Sequence, residues 1–175
     1  MDQPGKGWKV AYLIDPLTMK FRGLFHGQYN LESRFTCYKG HILPELDCTC
    51  GFHTYNDYED AYLDHLAHPG SVLLRCELYG TIVLHNYGSR AENQVINRLE
   101  YDKYCSKMYC QRKALGFGPR FHKEKDLNRK QNHFDTFCLK HLNKLENKKI
   151  PTYRFTIINK IVESETISED FLLSK

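Results

Sequence analysis

Residues 71–85, SVLLRCELYGTIVLH, decide how the chain is read. Val72, Leu74, Cys76 and Leu78 alternate with Leu73, Arg75, Glu77 and Tyr79, the period-two pattern of a strand with two different faces. Gly80 interrupts the run without ending it, which predicts a bulge or sharp bend. Asn86-Tyr87-Gly88-Ser89 is a turn, and residues 91–101 are expected to return as a further strand. This unit should form the centre of an antiparallel sheet. Upstream, residues 8–14 and 19–26 read as a hairpin around Asp15-Pro16. Asn56 with Glu59 reads as the capped start of a helix that stops near His68, because Pro69-Gly70 cannot continue it.

Downstream, residues 103–114 read as a short helix carrying Cys105 and Cys110. Gly116, Gly118 and Pro119 read as a break. Residues 130–146 read as a second long helix, because Phe134, Phe137, Cys138, His141, Leu142 and Leu145 recur at helical spacing. Residues 152–162 read as a last strand. The expected fold is α+β: an antiparallel sheet with two covering helices and loops stapled by structural zinc. Residues 1–100 should be a β-rich core with a Cys-x-Cys loop and one helix. Residues 101–175 should be a basic helical segment with a final strand, packed on the same domain.

The 175 residues suffice for an ordinary domain, and 12 Tyr and 10 Phe exclude wholesale disorder. No apolar run approaches the ~20 residues of a membrane span, and the N-terminal residues lack a secretory pattern. The expectation is a cytoplasmic protein.

Charge divides the sequence. Residues 103–160 hold 15 Lys/Arg against 4 Asp/Glu, whereas residues 1–100 are slightly acidic. Such a block attracts nucleic acid or an acidic protein surface. The candidate phosphate contacts are Lys103, Lys107, Arg112, Lys113, Arg120, Lys123, Lys125, Arg129 and Lys130. Tyr104, Tyr109, Phe117 and Phe121 are candidates for stacking on unpaired bases.

Seven cysteines and no export pattern point to thiols used for metal or burial rather than disulfides. One candidate zinc set is Cys37, Cys48, Cys50 and His53; the other is Cys105, Cys110, Cys138 and His141. Each has the number and softness of donors that a closed structural zinc site uses. In the second, a Cys pair from a turn meets a Cys/His pair spaced i, i+3 on a helix, as in zinc-knuckle and treble-clef modules. Zinc, as one or two structural ions, is the expected cofactor. No P-loop, G-x-G-x-x-G, G-x-S-x-G, H-E-x-x-H or deaminase signature is present.

The order Pro44, Asp47-Cys48-Thr49-Cys50-Gly51-Phe52-His53, Ala61, then Glu77-Leu78-Tyr79-Gly80-Thr81-Ile82-Val83 and Gly88-Ser89-Arg90-Ala91-Glu92, resembles a group of small bacterial and phage proteins. They share a C-x-C-G-[IF]-[HY] core, a V-x-L-x-G-x-V strand and a G-x-R-A-E turn. The resemblance covers residues 35–100 and implies one folding unit without implying a reaction.

The function expected is a small non-catalytic interaction protein whose basic C-terminal half binds nucleic acid or a nucleoprotein machine, such as an accessory or inhibitor protein of a phage or mobile element. The alternative is an enzyme acting on a nucleotide or nucleic acid. Its ligand site would lie near the Cys48–His53 loop, with Arg90, Glu92 and His85 as working groups.

Overall fold

The computed structural model describes residues 5–24, 27–37, 39–41, 44–120 and 133–167. Its organising element is a long antiparallel hairpin, β6 (Val72–Leu84) and β7 (Gly88–Tyr101). Val72, Leu74, Cys76 and Leu78 enter the main core, while Leu73 joins a separate cluster on the opposite face. The period-two pattern is thus realised as one buried face and one on which Leu73 is buried, Arg75 and Glu77 are half-buried and Tyr79 is exposed. At Gly80, whose φ is +75°, Gly80 and Thr81 stand between the pairs Tyr79–Asn93 and Ile82–Ala91, opposite Glu92 alone. This is the predicted bulge. Positive φ is sterically open to glycine, so the bulge can sit at this residue.

β1 (Gly5–Asp15) lies antiparallel to β6 and forms a hairpin with β2 (Lys20–Gly23), which pairs with β3 (Gln28–Tyr29). Asp15 makes the turn by accepting the Leu17 N–H at 2.9 Å and the Thr18 hydroxyl at 2.7 Å. On its free edge β7 is tiled by three short strands in succession: β5 (Phe52–Tyr55), β4 (Glu32–Arg34) and, in parallel, β11 (Glu163–Thr166). β5 also meets β1 at Trp8–Tyr55, so the path β1–β6–β7–β5 returns to β1 and the sheet curls into a partly closed barrel. Close approach requires glycine here: a Cβ on Gly88 would overlap the Thr54 carbonyl oxygen.

The molecule is α+β and mostly antiparallel, but the helices are distributed differently from expectation. α1 (Tyr58–Ala67) covers one face of the barrel, with Ala61 and Tyr62 against Val10 and Leu73. Its N-cap is Asp57 rather than Asn56. Asn56 instead braces the β6–β7 turn, donating to the His85 carbonyl and accepting the Ser89 hydroxyl. α2 (Leu139–Glu146) packs on a second, three-stranded sheet of β10 (Tyr153–Arg154), β8 (Gly116–Pro119) and β9 (Phe134–Phe137).

Three readings of residues 116–162 are corrected. Residues 134–137 are strand, because their pairing with β8 buries Asp135, Thr136 and Phe137 on both faces and leaves no alternation to read. The glycines before Pro119 do not break the chain; they admit neighbours, since a Cβ on Gly118 would lie 2.6 Å from Leu145 Cδ1. Residues 152–162 contain only the two-residue β10 and the short helix α3 (Phe155–Ile158), with the last strand starting at Glu163. Phe117, Ile158 and Val162 nevertheless share one core cluster with Leu13, Leu74 and Leu99. Among the described residues no helix is long and apolar enough to cross a membrane.

Candidate metal centres

Two sets of three cysteines and one histidine converge, each with all ligand atoms within 4.8 Å of one another. In the first, Cys37 Sγ lies 3.9 Å from Cys48 Sγ and 3.3 Å from His41 Nε2, and Cys50 Sγ lies 3.6 Å from His41 Nδ1. In the second, Cys110 Sγ lies 3.8 Å from Cys138 Sγ, and His141 Nδ1 lies 3.2 Å from Cys105 Sγ and 3.5 Å from Cys138 Sγ. A tetrahedron with Zn–S bonds of about 2.3 Å has edges of about 3.8 Å, and slightly shorter ones to nitrogen. Donor chemistry and spacing therefore both fit zinc. The seven cysteines are all free thiols.

The first cluster departs from the expected set at one position. His53 lies on β5 opposite Arg90, where its Nε2 meets the Thr49 carbonyl oxygen at 2.7 Å. Gly51, at φ +108°, turns the chain from the Cys-x-Cys step into β5 and carries His53 away. His41 takes the fourth place. Cys37 and His41 flank a tight turn in which the Gly40 N–H donates to the Cys37 carbonyl at 3.0 Å, with Gly40 at φ +87°. The sequence signal for His41 is Cys37-x3-His41, a spacing ordinary for zinc that competes with the histidine following Cys-x-Cys.

The second cluster joins a knuckle to a helix start. Residues 103–114 form no helix: Tyr104 and Lys113 bridge as a strand pair, the Cys105 N–H donates to the Arg112 carbonyl at 3.0 Å, and Tyr109 stands at φ +61° at the tip. Cys138 is the N-cap of α2 and His141 lies in its first turn. Burial pushes the Cys138 thiol up, but the His141 backbone N–H and the neighbouring thiols outweigh it and bring it below its ordinary value. Burial pushes the Cys105 thiol up to about 11. In the first cluster Cys48 is held at about 7, where hydrogen bonds from the Cys50 backbone and from its neighbours override burial.

Arg90, Glu92 and His85 are engaged in contacts within the chain. The buried Arg90 guanidinium donates to the carbonyls of Cys48, Cys50 and Glu45, and its Nε to His85 Nε2 at 2.9 Å. Glu92 turns to Arg34 at 3.1 Å and to the Gly80 bulge, where it meets the Thr81 N–H. Arg90 thus supports the first cluster's loop from behind.

Of the proposed phosphate contacts, Lys103, Lys107, Arg112 and Lys113 are exposed around the second cluster. Arg120 is committed to Asp135 at 3.4 Å and the Pro69 carbonyl at 3.0 Å. Lys123, Lys125, Arg129, Lys130 and Phe121 lie outside the described residues. Phe117 is fully buried and unavailable for stacking, whereas Tyr104 is exposed with Lys103 over its ring. Burial pushes the His141 imidazole down, and so do the charges of Lys107, Lys140, Arg112 and Lys144. Lys140 and Lys144, on α2, were not singled out from sequence. No family model, no curated protein and no solved structure matches the chain.

Proposed function

We propose that the chain is a zinc-stapled, non-catalytic binding module that holds nucleic acid against the knuckle of its second cluster. The observation that carries this reading is the knuckle tip. Met108 is 80% and Tyr109 96% exposed, and both line one recess with Arg112 and Lys140. A recess of about 270 Å³ opens there, lined by Met108, Tyr109, Cys110, Gln111, Arg112, Lys140 and His141. Exposed aromatic and thioether groups amid cations match bases and phosphates together, since every base offers a π face and every linkage a charge. Zinc in each Cys3His set would have four protein ligands, so its role is to fix loops that have little core of their own.

The test is fluorescence anisotropy of the zinc-loaded chain with labelled single-stranded and duplex oligonucleotides across a salt series. Affinity should fall log-linearly with salt, with a slope of about −0.7 per contacted phosphate on a single strand. Lys107→Glu with Arg112→Glu should weaken binding at least tenfold, as should chelation. Absence of salt-dependent binding to every oligonucleotide would overturn the reading and leave an acidic protein surface as the partner to seek.

A further inference from the structure

Lys9, Gln94 and Tyr29 bring polar groups together on the inner face of the barrel. Lys9 pairs with Leu74 across β1 and β6, so its side chain points the way Val72, Leu74 and Cys76 point, into the core. Its Nζ reaches Gln94 Oε1 on β7 at 3.2 Å and lies over the rings of Tyr29 on β3 and Phe52 on β5, 4.5 and 5.1 Å from their centroids. Three strands, β3, β5 and β7, therefore each bring a side chain to one ammonium of β1.

The hydrogen-bond inventory around it is unbalanced. Gln94, 1% exposed, spends its carbonyl on Lys9, and its Nε2 has no partner. The Tyr29 hydroxyl, on a residue 7% exposed, also has none. Lysine brings three N–H donors, the glutamine amide two and the tyrosine one, against two acceptors, the Gln94 carbonyl oxygen that Lys9 occupies and the Tyr29 hydroxyl oxygen. Buried donors without acceptors are costly and uncommon in native proteins, and a net positive, donor-rich interior calls for a negative acceptor. The π faces of Tyr29 and Phe52 accommodate the ammonium without serving the other two donors.

We propose that the barrel interior is a binding site for a small monovalent anion, a halide or a one-carbon to two-carbon carboxylate, held by Lys9 Nζ, Gln94 Nε2 and the Tyr29 hydroxyl. Lys9 gathers the polar end of Gln94 and the aromatic rings of Tyr29 and Phe52 inside an otherwise apolar cluster, the few-polar-groups-in-an-apolar-wall composition of a small-ligand site. Burial lowers Lys9 to about 8 and raises the Cys76 thiol to about 11: the ammonium is desolvated there, and the thiol beside it, kept neutral, supplies no counter-charge.

The experiment uses the full zinc-loaded chain with lysine labelled at Cε. Sodium chloride and sodium formate are titrated in separate arms, with ionic strength held by sodium sulfate. The expected result is a saturable shift of the Lys9 Cε resonance in at least one arm, with a parallel rise in the unfolding midpoint. A response to both anions assigns a general monoanion site; a response to formate alone assigns a carboxylate site, and to chloride alone a halide site. Lys9→Met keeps the volume, removes the charge and should abolish the midpoint response. Tyr29→Phe keeps the ring and should weaken binding five- to tenfold. No saturable shift in either arm, or a midpoint response retained in Lys9→Met, overturns the proposal.

Discussion

Arg90 donates from its guanidinium to the backbone carbonyl of Cys50 at 3.0 Å, across forty residues of sequence. The same group holds the carbonyls of Cys48 and Glu45, so one side chain on a rigid strand sets the path of the whole Cys-x-Cys loop. Groups that orient metal ligands from behind typically contribute 10- to 100-fold in affinity. Arg90→Met should therefore weaken zinc at the first cluster by about that factor and leave the second unchanged. Competition with a chromophoric chelator, read as two separate steps, checks this.

The exchange of His53 for His41 gives a second expectation. His41→Ala should reduce zinc from two equivalents to one, measured by elemental mass spectrometry, whereas His53→Ala should leave two. The reverse pattern would restore His53 as the ligand and contradict the turn geometry at Gly40.

Glu100 is a carboxyl that opposes the usual pH trend. Burial, followed by hydrogen bonding and repulsion from Glu165, raises it to about 7. Its neutral form is the one that suits the fold. Its stabilising contribution is complete below its unfolded value near 4.5 and is lost as pH rises through about 7. Glu100→Gln, a permanent mimic of the neutral form, should raise the denaturation midpoint at pH 8 relative to the parent and change it little at pH 4. An equal effect at both pH values would mean that the charge on Glu100 does not govern the contact.

Glycine substitutions should separate close packing from mere presence in a strand. A Cβ on Gly116 would overlap the Tyr153 carbonyl oxygen and lie 3.1 Å from Arg154 Cα, both backbone atoms that cannot swing aside. Gly116→Ala should cost about 1–3 kcal/mol, as overpacking generally does. At Gly5 the nearest atom is Ile82 Cδ1 at 3.0 Å, the end of a flexible side chain, and Gly5→Ala should fall within about 0.5 kcal/mol of the parent. Urea denaturation of both variants makes the comparison.

Much of the barrel is legible in the sequence. The β6 alternation and the Gly80 bulge follow from side-chain period and glycine's freedom, both local properties. The second cluster's four residues are legible for a similar reason, since Cys138 and His141 share one helix start. The failures occur where a distant partner overrides local pattern. Phe134 and Phe137 stand three apart and imitate a helix, but pairing with β8 makes them a strand. Cys105 and Cys110 sit in a run with helical character, yet the Tyr104–Lys113 bridge closes it into a knuckle. Arg90 read as a candidate substrate-binding group because its charge is visible in sequence and the three carbonyls that occupy it are not.

The tiling of β7 bears on how the chain is made. Its Arg98–Tyr101 edge is matched by Glu163–Thr166, sixty-five residues later. During synthesis at about 5–20 residues per second, that edge therefore waits several seconds for its partner strand. Throughout that interval a nascent sheet exposes unpaired N–H and C=O groups, the surface on which neighbouring chains on a polysome can pair wrongly. Arg98, which later binds Glu163 at 2.9 Å and Glu165 at 2.8 Å, places a charge on this edge. That charge would discourage copies of the same strand from docking before the intended one arrives.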